Sequence, residues 1–196
     1  MIKISIIAIC FSLLFVLLAW FMLPKFLEQP KYKVVRKEND IEVRSYDKIL
    51  MSSVKVYGNQ YNALRNGFQP LVRYIGAKER VSEKISMTAP VIQTTNDETE
   101  NWTVSFAMPS KYNIDNLPKP TNDDIYFEEI QPSLAAVIRF SGVADSSLLN
   151  QKASVLKRWL ELNGYTESSS PKFLFYNDPT TPGFLRRNEV MIIIDK

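Results

Sequence analysis

Histidine is absent from all 196 residues. That excludes imidazole as a general acid or base, as a metal ligand and as an axial haem ligand. The single cysteine, Cys10, lies inside an apolar N-terminal run. The remainder therefore has no disulfide framework, no Cys-x-x-Cys-His haem attachment and no thiol nucleophile. Six glycines and 11 prolines are no excess, so the bulk of the chain does not read as disordered. Charge of one sign is lacking too. Against 24 Lys and Arg stand 21 Asp and Glu, a net of +3 with no dense basic run, which argues against a nucleic-acid partner. No nucleotide-binding glycine loop, metal-ligand spacing or nucleophile–base pair is present either.

What is present begins with 20 uncharged residues, Ile4–Leu23. A helix of that length rises about 30 Å, enough to cross a hydrocarbon core. A cleaved signal peptide has a shorter apolar region, of about 7–15 residues, followed by a small-x-small site. This run instead ends in Trp20-Phe21-Met22-Leu23-Pro24. Residues 1–24 read as an uncleaved transmembrane anchor, 25–31 as a linker and 32–196 as one globular domain. Lys25, Lys31, Lys33, Arg36 and Lys37 follow the span and favour a cytoplasmic domain by the positive-inside rule. A short charged N-terminus before one span is also how exported domains begin, so the orientation stays open.

Period-2 runs predict strands over Tyr32–Glu38, Ile41–Tyr46 and Lys48–Tyr57, the first two joined across Asn39-Asp40, which is turn chemistry. Leu64, Phe68, Leu71 and Ile75 then fall on one face of a helix over Gln60–Ile75, which Gly67 and Pro70 are expected to weaken or kink. Strands over Lys84–Thr94 and Asn101–Met108 follow, and then an Asn/Pro loop over Ser110–Asp124. The order repeats at an offset of 84. Ile41, Val43, Leu50, Val54, Val56 and Gly58 match Ile125, Phe127, Leu134, Ile138, Phe140 and Gly142, and Leu64, Leu71 and Val72 match Leu148, Val155 and Leu156. A second helix is predicted over Ser146–Asn163, and strands over Lys172–Asn177 and Glu189–Asp195. Two copies of strand-strand-helix-strand-strand imply an α+β domain, a pseudo-twofold duplicated antiparallel sheet with two packed helices. A groove between such halves is a natural ligand site.

On the first helix, Arg65, Gln69, Val72, Arg73 and Gly76 form a second stripe, with Phe68 beside it. Two cations flanking an apolar strip suit a flat apolar ligand with anionic edges, although a solvated face has the same spacing. In the segment before the last strand, adjacent Arg186 and Arg187 beside Phe184-Leu185 could meet carboxylates. Met51, Met87 and Met108 read as core filling.

Three blocks carry a family resemblance: Lys84-Ile85-Ser86-Met87-Thr88-Ala89-Pro90-Val91; Phe106-Ala107-Met108-Pro109-Ser110-Lys111-Tyr112 with Leu117-Pro118; and Thr181-Pro182-Gly183-Phe184-Leu185-Arg186-Arg187-Asn188-Glu189-Val190. In this order they resemble the SOUL/HEBP haem-binding family over about Tyr32–Asp195. The resemblance implies a barrel-like sheet of the kind shared with bacterial effector-binding modules. It also implies non-covalent binding of haem or another porphyrin in a shallow apolar groove, with basic residues holding the propionates. Carried onto this chain, the contact candidates are Arg65, Phe68, Val72, Arg73, Met87, Tyr176 and Thr181. Some relatives have a basic residue where this chain has the Thr180-Thr181 turn. The reading is a membrane-anchored tetrapyrrole carrier, buffer or sensor, not an enzyme. Its alternatives are an effector module for another amphipathic ligand and a hydrolase on the same fold.

Overall fold

In a computed structural model of the chain, the described residues are Ser12, 27–78, 82–95 and 101–195. The first half holds β1 (Tyr32–Glu38), β2 (Ile41–Tyr46), β3 (Ile49–Tyr57), helix α1 (Gln60–Ile75), β4 (Val91–Thr95) and β5 (Asn101–Ala107). The second holds β6 (Ile125–Ile130), β7 (Ser133–Phe140), helix α2 (Ser146–Leu162), β8 (Thr166–Glu167), β9 (Lys172–Phe175) and β10 (Asn188–Asp195). The architecture is α+β: one large antiparallel sheet under two helices. The proposed span at Ile4–Leu23 lies outside the described residues apart from Ser12. Among the described residues no helix is long and apolar enough to cross a membrane.

Sheet order is β1-β2-β7-β10-β9-β4-β5-β3-β6, with β8 pairing β10. This path is open, ending on β1 and β6, so the ladders give an open sheet and not the closed ring that a barrel needs. Read from either end after β1, the order interlocks the two halves. The leading strand of each half pairs with the second strand of the other: β2 with β7, and β6 with β3. The two registers agree residue for residue at the 84-residue offset. Ile41 faces Ile138 where Ile125 faces Val54, and Tyr46 faces Ser133 where Ile130 faces Ile49. Gly58 and Gly142 correspond as well. Both have positive φ, 110° and 125°, at the turn from strand into helix, where a side chain would be strained.

In the helices the offset slips. Leu71 is fully buried, yet Val155, its match at 84, is 47% exposed. The buried residues Ala63 and Gly67 on α1 correspond to Leu149 and Ala153 on α2, two residues further along. The strands are held by their ladders, but the connection from Gly142 to the cap Asp145 is two residues longer than that from Gly58 to Asn59, so the second helix starts two positions later. Asn59 caps α1 and Asp145 caps α2, each side chain accepting from a backbone N–H three residues on. α1 runs unbroken through Pro70, and Gly67 is there because a Cβ would lie 2.5 Å from the Val104 side chain. Helix and sheet approach closely at that point.

Strand alternation sorts the side chains onto two faces. Toward α1 point Leu50, Val54, Val104, Phe106 and Ile125; toward α2 point Val43, Ala136, Ile138, Val190 and Ile192. The opposite face carries Arg44, Tyr46, Met51, Ser53, Ser105, Glu128 and Lys172.

The strand expected over Lys84–Thr94 is shorter. β4 begins only at Val91, and Lys84–Pro90 runs off the sheet. Pro90 has no N–H to give a ladder. Just before it, the Ala89 N–H is taken by the Glu28 carbonyl, and the Thr88 hydroxyl donates to the Ala107 carbonyl at 2.6 Å. Glu28 and Thr88 form an isolated bridge, so the stretch is strapped to the linker instead of to a neighbouring strand.

Candidate functional site

The space left by that departure is an apolar groove of about 640 Å³. One wall is the outer face of α1, where Tyr61, Leu64, Arg65, Phe68, Val72 and Ile75 recur at spacings of three and four. The second wall is Met87, Thr88, Ala89 and Val91, and the third is Phe175–Pro179, the end of β9 and the turn after it. Leu27 also lines it, four residues after the apolar N-terminal run stops. Phe68 meets Phe106 edge-on with centroids 5.4 Å apart, which ties the helical wall to the sheet core.

Five of the seven candidates line this groove: Arg65, Phe68, Val72, Met87 and Tyr176. Arg73 and Thr181 do not. Eight residues on a helix turn through about 800°, which leaves Arg73 about 80° away from Arg65 and off the groove face. Thr181 lies beyond Pro179, inside a turn held by its own chain. Its N–H donates to the Asp178 carbonyl, and its carbonyl accepts from Arg186 Nε at 2.7 Å. Arg186 also donates to the Pro179 carbonyl. Among the described residues, Arg65 is the basic side chain that lines the groove, and Asp178 the acidic one. The hydroxyl and N–H of Thr180 bond Asp178 and hold its carboxyl below the usual range.

Tyr176 is fixed from behind. Its hydroxyl donates to Glu189 Oε2 at 2.9 Å, and the Arg187 guanidinium stacks 3.7 Å from its ring centroid. Glu189 is fully buried and also accepts from Arg44 at 2.8 and 3.1 Å and from Arg187 at 2.8 and 3.0 Å. Burial alone would raise the Glu189 pKa, but hydrogen bonds and charge from Arg44 and Arg187 win and hold it low. Burial, with Glu189 adding to it, pushes the Tyr176 phenol well above its ordinary value. Arg187 thus does meet a carboxylate, that of Glu189 two residues further along the chain. Nothing in the spacing of Arg44 pointed to its partner 145 residues away.

The sequence reading missed Leu27, Tyr61, Val91 and Phe175. Tyr61 continues the Leu64–Phe68 spacing by one step toward the N-terminus, so periodicity alone could have found it. Leu27 and Phe175 arrive from distant segments, which local pattern cannot show.

These features define a class: an α+β sheet protein with a ligand-sized apolar groove between one helix and two loops. The family model described as SOUL heme-binding protein matches residues 27–193, and the chain belongs to that family. It is 29% identical over 177 residues to the Xenopus laevis protein named Heme-binding protein 1, covering 85% of this chain and 92% of the relative. To Homo sapiens Heme-binding protein 2 it is 26% identical over 162 residues, covering 79% and 78%. Among solved structures, the EcmrR C-terminal domain shares the fold with a TM-score of 0.61 at 15% identity, covering 84% of this chain and 98% of that one. A hydrolase from Listeria innocua shares it with a TM-score of 0.55 at 10% identity, covering 82% and 94%. Both likenesses concern the fold alone. Haem, a porphyrin, is the cofactor that family membership brings.

The groove fits such a group. Its lining is mainly apolar and aromatic, and its volume lies within the roughly 300–1,000 Å³ of small-molecule sites. Side chains able to ligate iron are present there in Met87 and Tyr61, whereas the Tyr176 hydroxyl is committed to Glu189.

Proposed function

We propose that the protein is a membrane-anchored tetrapyrrole-binding protein, a carrier, buffer or sensor that takes haem or an iron-free porphyrin in this groove. The observation that carries the reading is the apolar cleft with one guanidinium on its wall. Phe68, Val72 and Met87 would hold the macrocycle by its faces, Tyr176 would form its far wall, and Arg65 would pair with a propionate. Bound haem supplies a planar apolar surface with two carboxylates and an iron centre. Without histidine, most of the affinity comes from burying that surface, at about 25 cal/mol per Å² of apolar area, so iron should matter little. The full chain in lipid nanodiscs, titrated with haemin and with protoporphyrin IX, is expected to bind both with similar affinity. Binding of neither, or unchanged binding by Phe68→Glu, would sink the reading. A preference for haemin that vanishes in Met87→Leu would instead assign Met87 as an iron ligand.

The anchor belongs to the same proposal. Leu27 lines the groove only four residues beyond Leu23, so a spanning Ile4–Leu23 would hold the cleft close to the bilayer surface. Full-length chain should stay in the membrane pellet after alkaline carbonate extraction, and chain lacking residues 1–24 should not. Release of both would remove the anchor from the reading.

A further inference from the structure

The sheet face turned away from both helices encloses a second cavity, of about 440 Å³, that shares no lining residue with the groove. Its origin is local. Where that face would ordinarily carry large apolar residues, the central strands place Ser53 and Ser105 opposite each other, with Thr103 beside them. Met51, Ile92, Ile130 and Met191 rise around this floor and leave a hollow between the two halves.

The hollow is lined by both polar and apolar side chains, and its charged groups are Glu128, Lys172 and Lys55. Ser53 Oγ lies 2.7 Å from Ser105 Oγ and donates to Glu128 Oε1 at 2.8 Å. The serine pair thus points one oxygen of Glu128 at the floor. Lys172 enters from β9 and is largely buried. Among the described residues its ammonium makes no ion pair within 4.0 Å. Glu128 acts on it only at longer range. Burial outweighs that attraction and lowers the Lys172 pKa, which marks the ammonium as short of partners. Lys55, at the exposed rim, adds a second positive charge against the single carboxylate.

We infer that this cavity is a second ligand site, for a small amphipathic organic anion. The anionic head, a carboxylate or sulfonate, pairs with Lys172, and the apolar body lies on Met51, Ile92 and Met191. The head supplies the counter-charge that Lys172 lacks, and the excess of lysine over glutamate disfavours a cation. The volume admits one or two fused rings and is smaller than the groove assigned to the porphyrin. This site stands whether or not the groove takes a tetrapyrrole.

Methionine methyl groups report the two sites separately, because Met51 and Met191 line the cavity and Met87 lines the groove. The full chain in nanodiscs, labelled at the methionine methyls, is titrated with naphthoate and followed by carbon–proton NMR. Saturable shifts at Met51 and Met191, with Met87 unmoved, are expected. Lys172→Met should weaken them at least about tenfold, the scale of one charge-assisted hydrogen bond. Naphthylmethylammonium, of the same body and opposite charge, should bind the unmodified chain at least about tenfold more weakly, a comparison that needs no variant to fold. Absence of shifts at millimolar naphthoate, shifts confined to Met87, or equal binding of the cation would each overturn the assignment.

Discussion

Arg44 and Glu128 occupy corresponding positions 84 residues apart, each on the leading strand of its half and facing away from the helices. Arg44 is closed in. Its guanidinium meets Glu189, Glu42 and the Tyr46 hydroxyl and lies over the Tyr32 ring, so that end of the sheet is filled by a buried ionic cluster. Glu128 accepts from Ser53 at 2.8 Å, and the space beside it is hollow. The helices divide in the same way. After α2 the chain turns at once into β8, which pairs with β10, and Tyr165 stacks on Trp159 with centroids 5.7 Å apart. After α1 the chain runs fifteen residues before β4, and its last part stands off the sheet to form the groove. One backbone register therefore supports two different finishes. The ladder fixes which residues face each other, and side-chain size and connection length decide whether space is filled or left open.

The largest test of this contrast is Glu189→Gln. It leaves two buried arginines without their shared carboxylate, and breaking a buried pair costs about 3–5 kcal/mol. Urea denaturation should show a loss of that size, with nothing comparable for Glu128→Gln. The sign with pH follows from the depressed folded-state pKa of Glu189. Its contribution is fully present above the unfolded value of 4.5 and is lost as pH falls through the folded value. The stability gap between the wild type and Glu189→Gln should accordingly narrow below about pH 4.5. A gap that widens on acidification would break the assignment of that carboxylate.

Next in size is Gly67→Ala, which drives a methyl into Val104 and should cost about 1–3 kcal/mol through overpacking. Its counterpart Ala153→Gly, on the filled half, should cost only about 1 kcal/mol through helix propensity and a lost methyl. Equal effects in thermal melts would mean that α1 is not held closer to the sheet than α2. The smallest expected change is in binding. Arg65→Glu should weaken protoporphyrin about tenfold, consistent with one charge-assisted contact. Arg73→Glu, off the groove face, should shift it less than about twofold.

Much of this architecture could be read in order along the chain. Alternation marked β2 and β3, the repeat placed β6 and β7, and the 84-residue offset that relates their apolar residues is the offset of their hydrogen-bond registers. Helical spacing found α1 and α2 within a residue of their observed ends, because caps at Asn59 and Asp145 are local chemistry. Phe68, Val72, Met87 and Tyr176 entered as site candidates through a resemblance, and they line one cleft. Arg73 lies off that cleft because a shared stripe drifts over two turns of helix, and Thr181 because its turn is closed by Asp178 and Arg186. The Glu189 cluster and the Lys172 cavity were invisible. Their members lie 145 and 44 residues apart, and no spacing rule reaches across a sheet.

The sequence by itself determined the element order, the faces of strands and helices, the absence of imidazole chemistry and the family. The first three follow from short-range periodicity or from composition, and the family from the resemblance carried by three motif blocks. Only the tertiary structure decided that Lys84–Pro90 leaves the sheet, that β2 and β6 exchange between halves, and that one end is filled where the other is hollow. Those outcomes depend on which distant side chains arrive together and on how much volume they fill.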